Sequence, residues 1–196
     1  MVVRSVQEFV QGLRKLEDAR FTRDAVLAEF GRVTLDPASL EPYMFFCGDH
    51  YTRNLIYRDD LFEVIALGWE KGQGSAVHNH CEQECWMGVP VGKLQVQNYR
   101  LLEFDEAALT CKLAPTSHFV IDPTHPAAVD PSEPIHAIFN PAEFDQRAVS
   151  VHVYSRPIDS CMVYQPAAGR CFSVPLDYTS RLGVLSAGQT AELVRA

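Results

Sequence analysis

The chain has 196 residues and a formal net charge of −8, without a cluster of lysines or arginines, so nucleic acids and anionic membranes are not expected as partners. Hydrophobic residues make up 47% of the chain and charged residues 21%, which is ordinary for a soluble globular protein. No apolar run approaches the roughly 18 residues of a membrane span, and the first residues lack the apolar core of a signal peptide. We therefore expect one domain over residues 1–196, in a monomeric cytoplasmic protein.

The cysteines are even in number, but a chain of this length without a secretion signal is expected to keep free thiols in a reducing compartment. No Cys-x2-Cys pair occurs, which argues against a structural zinc site. The six cysteines are Cys47, Cys81, Cys85, Cys111, Cys161 and Cys171.

Apolar residues near the N-terminus recur with the i, i+3, i+4 spacing of two amphipathic helices. We predict that Ser5 caps the first helix, with Glu8 completing a capping box, and that Thr22 caps the second. These helices form an extension over residues 1–35 that is expected to pack on the rest of the domain. The apolar positions are Val6, Phe9, Val10, Leu13 and Leu16 in the first helix, and Ala25, Val26, Phe30 and Val33 in the second.

From about Tyr51 onwards the pattern changes to short strands separated by turns that contain proline or glycine. Val149, Val151 and Val153 alternate with polar residues, which predicts that the valines share one face of a strand and the polar side chains the other. Many short strands favour a β-sandwich or a β-barrel. The predicted strands include residues 54–57, 62–69, 92–101, 119–121, 135–139, 148–154 and 162–164.

Two histidines separated by one residue, His78 and His80, follow a glycine-rich stretch. In an extended strand, residues i and i+2 point to the same face, so both imidazoles can be directed at one point. A later strand that carries His136 alongside would complete a three-nitrogen site with open coordination positions. Such a site suits Fe(II), Mn, Ni, Zn or Cu, and nitrogen ligands alone do not choose among these metals.

The spacing Gly72-x5-His78-x-His80 resembles the first motif of the cupin family, and His136-x3-Asn140 resembles the second. The resemblance implies a mainly β protein, a cupin-type β-barrel (jelly roll) with α-helices at its N-terminal side.

Cys85 stands five residues after His80, where the cupin motif usually has a ligating glutamate. Strand alternation directs Cys85 towards the metal and the neighbouring Glu84 away from it. Neutral imidazole ligands would leave the positive charge on the metal, which favours binding of a thiolate.

The chain from its helices to about Gly183 also resembles the thiol dioxygenases, and among them the cysteine dioxygenases. The similarity is carried by the three histidines, by residues 51–54 (Tyr-Thr-Arg-Asn), by Cys85, by residues 150–155 (Ser-Val-His-Val-Tyr-Ser) and by residues 159–161 (Asp-Ser-Cys).

The resemblance implies a non-heme Fe(II) enzyme that uses O2 to oxidise a small thiol, L-cysteine, to cysteine sulfinic acid. It implies roles for the following residues: His78, His80 and His136 as metal ligands, Arg53 and Tyr51 as carboxylate-binding residues, Cys161 near the substrate, and Ser150, His152 and Tyr154 as a hydrogen-bonded catalytic chain. It further implies that Cys85 and Tyr154 can form a thioether cross-link.

One departure from the family pattern occurs at Arg156, where the mammalian-type enzymes often have proline. Arg156 also adds a second cation that is expected near the pocket.

Related enzymes that oxidise 3-mercaptopropionate usually carry glutamine in place of Arg53, so Arg53 favours L-cysteine. Enzymes that oxidise N-terminal cysteines of proteins lack the carboxylate clamp. A cupin that only binds ligands, or one that uses another metal, is a further alternative, but it gives no role to Cys85, Tyr154 and Arg53.

Overall fold

The computed structural model describes residues 2–16 and 21–194, and strands dominate this part of the chain. Its helices are α1 (Val6–Arg14), α2 (Arg23–Arg32) and α3 (Pro37–Leu40). The first strands are β1 (Val2–Arg4), β2 (Val33–Leu35), β3 (Phe45–Phe46), β4 (Thr52–Arg58), β5 (Glu63–Trp69), β6 (Val77–His78), β7 (Cys85–Val91), β8 (Leu94–Asp105) and β9 (Thr110–Ile121). The later ones are β10 (Ala127–Ala128), β11 (Ile135–Phe139), β12 (Ala148–Tyr154), β13 (Ser160–Gln165), β14 (Arg170–Pro175), β15 (Ser180–Arg181), β16 (Val184–Leu185) and β17 (Glu192–Leu193).

The caps of the first two helices are those that the sequence predicts. Ser5 Oγ accepts the backbone N–H of Glu8 at 3.2 Å, and the Glu8 carboxylate accepts the backbone N–H of Ser5 at 2.8 Å, which completes the capping box. Thr22 Oγ1 accepts an N–H in the first turn of α2. The prediction was wrong for Val33, which pairs with Val2 in a parallel β1–β2 ladder instead of extending α2, and for Leu16, which lies beyond the end of α1.

Two sheets form the body of the fold. One has seven strands in the order β10-β7-β12-β5-β4-β15-β16, and the other closes into a barrel in the order β11-β6-β13-β14-β9-β8. Most neighbouring strands are antiparallel. The structure is therefore the mainly β, cupin-type barrel with N-terminal helices that the sequence motifs imply.

Strand β12 shows how the sheet separates two interiors. Val149, Val151 and Val153 face α1 and α2 and pack in one apolar cluster with them. The alternating side chains of residues 150, 152 and 154 face the other way, as predicted, and they too are buried. The second face of this strand is thus an internal polar surface, which is the usual setting for a functional cavity rather than a solvated side of a sheet.

Several strands differ in extent from the sequence-based expectation. The predicted short strand at 119–121 is the end of β9, which forms a long hairpin with β8 that two register shifts interrupt. Gly92 joins β7 to β8 with a φ of +76°, and a Cβ atom there would lie 2.6 Å from the Arg147 carbonyl oxygen. This turn consequently requires glycine. In the described residues, no helix has the length and apolar character that a membrane crossing requires.

We predict that the helices and the barrel unfold as one unit. Phe9 of α1 is 1% exposed, and its ring centroid lies 4.7 Å from that of Phe30 in the cluster that also contains the β12 valines. Phe9→Ala is expected to lower the free energy of unfolding by about 3–5 kcal/mol, through lost burial and a residual cavity. Leu102→Ala, at a 51% exposed position of β8, should change it by less than about 0.5 kcal/mol. Chemical denaturation followed by fluorescence and circular dichroism measures both values, and two separate transitions would contradict the prediction.

Candidate active site

The three predicted ligands meet at one point inside the barrel. One ring nitrogen from each of His78, His80 and His136 lies within 4.8 Å of the other two. The antiparallel pairing of β6 with β11 sets His78 directly opposite His136. His80 lies just beyond the end of β6, where the N–H of Asn79 donates to the Met162 carbonyl at 3.1 Å and keeps the backbone paired with β13. The i, i+2 spacing therefore brings both histidines of the pair to the same site.

The protonation state of these histidines suits metal binding. Nδ1 of His78 donates to the Ala76 carbonyl at 2.9 Å, which leaves Nε2 as the free lone pair. His80 Nδ1 and His136 Nε2 are buried without a hydrogen-bond partner. Burial lowers the pKa of His78 and lowers the pKa values of His80 and His136 far below the usual range, so all three rings are neutral at neutral pH. Three neutral nitrogens with unpaired buried atoms fit a divalent transition metal.

Cys85 and Glu84 have the orientations that strand alternation predicts. Cys85 is fully buried on the interior face of β7. The Glu84 carboxylate lies outside the barrel, 3.9 Å from Arg23 Nη1 of α2, and its backbone N–H donates to Ser155 Oγ. The group of potential ligands in residues 2–16 and 21–194 thus contains no carboxylate.

Tyr154 stands between Cys85 and the histidines. It is the direct cross-strand partner of Cys85 in the β7–β12 ladder, and its ring centroid lies 5.9 Å from that of His80. Burial raises the pKa of Tyr154 far above its usual value. Burial also raises the pKa of Cys85, and the hydrogen bond with Tyr154 offsets part of that increase. Both side chains are consequently held in their protonated, neutral forms.

The polar residues behind Tyr154 form a chain that differs in part from the predicted one. Trp69 Nε1 donates to Ser150 Oγ at 2.9 Å, and Ser150 Oγ lies 2.9 Å from His152 Nε2, as expected for a serine that holds the ring. Burial lowers the pKa of His152 to about 3, so the ring is neutral.

The expected bond from His152 to the Tyr154 hydroxyl does not occur. The two rings, at residues i and i+2 of one strand face, are nearly parallel, 20° apart with centroids separated by 6.2 Å. His152 Nδ1 instead lies 3.9 Å from Cys85 Sγ. The chain of polar groups therefore runs from His152 to the Cys85 thiol, which in turn interacts with Tyr154.

A cavity of ≈ 230 Å³ extends from His78 and His80 to Arg53. Arg53 Nε and Nη2 are buried and have no hydrogen-bond partner, although the Tyr154 phenol interacts with this guanidinium. Tyr51 lines the same end of the cavity and stacks on Trp69, with ring centroids 4.6 Å apart. The cavity thus carries unsatisfied donors at one end and a candidate metal site at the other.

The rest of the cavity lining is mainly apolar. Asn79 and Cys161 are further polar residues there, and burial raises the pKa of the Cys161 thiol to about 11. The small volume and the few polar groups suit an amino-acid-sized ligand. The apolar residues are Ala76, Ile158, Val163, Val174 and Leu176.

A second cavity, of ≈ 330 Å³, opens on the other side of His80 beside Glu82, Gln83 and Glu84. It is larger but includes neither Arg53 nor Tyr154, so the smaller cavity is the one that joins the candidate metal site to the guanidinium. Arg156, which was considered a possible second cation at the pocket, is exposed instead.

Sequence reasoning missed two contributors to the site. Trp69 supports both Ser150 and Tyr51, and Glu63 is fully buried on the same strand. The alternation of residues 63, 65, 67 and 69 along one predicted strand was the available signal, because it directs all four side chains to the face that also holds Tyr154.

Comparison with solved structures gives low global similarity. A conserved protein with a double-stranded β-helix domain from Klebsiella pneumoniae subsp. pneumoniae MGH 78578 has a TM-score of 0.45 and 14% identity, over 70% of this chain and 96% of that one. A cupin superfamily protein from Desulfitobacterium hafniense DCB-2 has a TM-score of 0.41 and 11% identity, over 57% of this chain and 83% of that one.

Curated relatives share the name cysteine dioxygenase type 1. The human protein is 26% identical over 157 residues, which cover 80% of this chain and 76% of the human one. The mouse protein is 25% identical over 187 residues, covering 92% and 89%. The match to the zebrafish (Danio rerio) protein, 28% identical over 134 residues, covers 68% of this chain and 65% of the relative, just under two thirds of its length.

The sequence profile of the cysteine dioxygenase type I family matches residues 2–167, a span that includes all three histidines, Arg53, Cys85 and Tyr154. The chain belongs to this family.

Proposed function

We propose that the protein is an Fe(II)-dependent dioxygenase that oxidises L-cysteine with O2 to cysteine sulfinic acid. The observation that carries this proposal is a single cavity that His78 and His80 of the three-histidine cluster line together with Arg53, whose Nε and Nη2 donors have no partner. A small molecule with a thiol and a carboxylate would satisfy both ends at once. The overall reaction is balanced without a further reductant, since the thiol and O2 together supply every atom of the sulfinic acid.

His78, His80 and His136 are the residues that would hold the iron. When bound, Fe(II) supplies coordination positions for a thiolate and for O2, together with the redox chemistry that oxidises sulfur. The absence of a carboxylate from this ligand group supports thiol chemistry, because three neutral ligands do not reduce the charge that lowers the pKa of a coordinated thiol.

Arg53 and Tyr51 orient the substrate in this proposal. The guanidinium is a planar fork of donors that matches the two oxygens of a carboxylate, and it stays charged at any physiological pH. Burial of Arg53 and Tyr51 excludes competing water from the clamp, which strengthens a charge-assisted hydrogen bond. The thiol end of a clamped substrate is thereby directed towards the three histidines.

Tyr154 is proposed as the proton donor of the site. Its phenol stays protonated because of its burial, and it lies beside both Arg53 and His80. From this position the hydroxyl can donate a hydrogen bond to the substrate carboxylate or to reacting oxygen atoms.

The iron ligands are tested with a histidine variant. Purified wild-type protein is expected to contain iron and to consume O2 when L-cysteine is added, with cysteine sulfinic acid as the product. His136→Ala should lose most of the metal, and its activity should fall by at least about 100-fold. Loss of a ligand should cost at least as much as the roughly 10- to 100-fold that is typical for loss of a residue that only orients a ligand. His125→Ala, a change at an exposed histidine, should retain both. Elemental analysis and oxygen electrode measurements check this, and full iron content in His136→Ala would contradict it.

The carboxylate clamp is tested at Arg53. Arg53→Ala should raise KM for L-cysteine and lower kcat/KM by about 10- to 150-fold, since hydrogen bonds to a charged group are worth about 1.5–3 kcal/mol. Arg100→Ala, at an exposed ion pair with Glu133, serves as the control. Unchanged kinetics in Arg53→Ala would contradict the proposed role of Arg53 in carboxylate binding. If the wild type oxidised 3-mercaptopropionate faster than L-cysteine, 3-mercaptopropionate would be the preferred substrate instead.

Tyr154→Phe keeps the ring and removes the hydroxyl. We expect kcat to fall by about 10-fold or more, the scale of one positioned donor, while the iron content stays at the wild-type level. Steady-state kinetics with parallel metal analysis measure both, and a wild-type kcat would exclude the hydroxyl from the mechanism.

The pairing of Cys85 with Tyr154 predicts a thioether. Side chains directly opposite in a ladder have Cβ atoms about 4.5–5.5 Å apart, so Cys85 Sγ can reach a ring carbon of Tyr154. The bond would form with loss of the S–H hydrogen and one ring C–H hydrogen, and O2 would accept these two hydrogens with their two electrons to give hydrogen peroxide. Intact-protein mass spectrometry after prolonged turnover should reveal a species lighter by two hydrogen atoms. The same species in Cys85→Ser, or no such species in the wild type, would show that Cys85 has only a packing role.

A further inference from the structure

Glu63 is a buried carboxylate that the proposed reaction does not use. It is 0% exposed and stands at the start of β5 on the same face as Ile65 and Leu67. Its cross-strand partners are Tyr154 of β12 and Arg58 of β4. A charge in this position is strongly destabilising unless it is hydrogen-bonded and paired. The contacts of the Glu63 carboxylate therefore indicate its role.

The oxygens of Glu63 are held by neighbours other than Arg53. Oε1 accepts the backbone N–H of Ile158 at 3.3 Å, and Oε2 accepts the hydroxyl hydrogen of Tyr178. Arg58 Nη1 lies 3.8 Å from Oε2 and donates to the Tyr178 hydroxyl at 2.9 Å. Arg58 itself is paired with Asp159, to which Nη1 and Nη2 donate at 2.8 and 3.0 Å. Tyr178 is therefore the direct partner of the Glu63 carboxylate and links it to this ion pair.

Arg53 lies on the other side of the same tyrosine. Its Cζ is 5.9 Å from the centroid of the Tyr178 ring. Its backbone is fixed to the adjoining segment, because Thr179 N–H donates to the Arg53 carbonyl at 2.7 Å and Arg53 N–H donates to Thr179 Oγ1 at 3.1 Å. The Tyr178 ring thus lies between a buried cation and a buried anion, with its hydroxyl on the anion.

Burial raises the pKa of Glu63, and the Tyr178 hydroxyl, the Ile158 N–H and the charges of Arg53 and Arg58 oppose that rise. Arg53 and Glu63 nevertheless form no hydrogen bond with each other in the described structure, and Arg53 Nε and Nη2 remain unpartnered. A direct Arg53–Glu63 ion pair would occupy the donors that a substrate carboxylate needs. The structure avoids this competition by engaging both Glu63 oxygens elsewhere.

We propose that Tyr178 is a positioning residue whose hydroxyl holds the Glu63 carboxylate in place and thereby keeps the Arg53 guanidinium free for the carboxylate of the substrate. This inference rests on the proposed function, because it assigns the free donors of Arg53 to substrate binding. It assigns to Glu63 the role of a fixed carboxylate beside Arg53, since Arg58 is paired with Asp159, and to Tyr178 control over which carboxylate Arg53 binds.

The kinetic test combines two variants. Tyr178→Phe keeps the ring against Arg53 and frees Glu63, so KM for L-cysteine should rise by about 10-fold while kcat changes by less than about threefold, as expected for lost ground-state binding. Adding Glu63→Gln to Tyr178→Phe removes the competing charge, and KM should return to within about threefold of the wild-type value. A merely structural role predicts the opposite, since two lesions in one network would leave the double variant as impaired as Tyr178→Phe or more so.

Tyr57→Phe is the matched control. The Tyr57 hydroxyl donates to the Asp59 carboxylate at 2.6 Å, a similar tyrosine–carboxylate bond away from the cavity, and its loss should leave KM unchanged. Cysteamine, a thiol without a carboxylate, should inhibit the wild type and Tyr178→Phe with the same Ki, since it does not use Arg53. A wild-type KM in Tyr178→Phe, an equally raised Ki for cysteamine, or failure of the double variant to recover would overturn the proposal.

A crystal structure of Tyr178→Phe gives a readout that does not depend on turnover. It should show a Glu63 carboxylate oxygen within about 4 Å of an Arg53 nitrogen, the usual limit for an ion pair. If the wild type does not oxidise L-cysteine, the proposed function fails, whereas this structure still decides whether Tyr178 keeps the two charges apart. An unchanged Glu63 position in the variant would overturn the inference even if the enzyme is active.

Discussion

The pairing of β6 with β11 is the constraint on which the site depends. It sets His78 opposite His136, and the extended backbone beyond β6 then brings His80 to the same point. The ladder extends on one side to β13, through Val163, and on the other to β8, so the histidines are fixed by the closure of the barrel itself. A shift of one residue in this register would turn His136 to the opposite face.

A second constraint is that buried polar groups need partners. On the interior face of β12 and β5 the needs are largely met within the protein: Ser150 binds Trp69 and His152, and Glu63 has three neighbours. Four of the seven buried side-chain atoms without a hydrogen-bond partner in the described residues lie at the histidine cluster and Arg53, and the other three belong to Arg23, Asn140 and Ser186. Unsatisfied groups gathered around one small space are the structural signature of a site that a ligand completes, and here they demand a cation at one end and an anion at the other.

The sequence predicted the parts of this arrangement that local spacing determines. Period-two alternation predicted which side chains of β12 share a face, and the i, i+2 spacing predicted that His78 and His80 point to the same site. Capping residues predicted where α1 and α2 begin. The contacts that it could not predict join residues far apart in the chain. Tyr178 meets Glu63 across 115 positions, and Trp69 meets Ser150 across 81. Such pairs depend on strand order and register, which no local pattern encodes. The His152 contact with Cys85 is of the same kind, since it joins residues 67 positions apart.

The buried thiol of Cys85 connects these constraints. A carboxylate at this fully buried position would face the histidines and lower the charge of a bound metal, whereas a neutral thiol leaves that charge intact. The same register sets Cys85 beside Tyr154, and Ser155, which follows it, accepts the Glu84 N–H and so anchors the end of β12. Exposed Arg156 lies in the segment beyond this anchor, and Tyr154 stands opposite Cys85 on the buried side of the sheet.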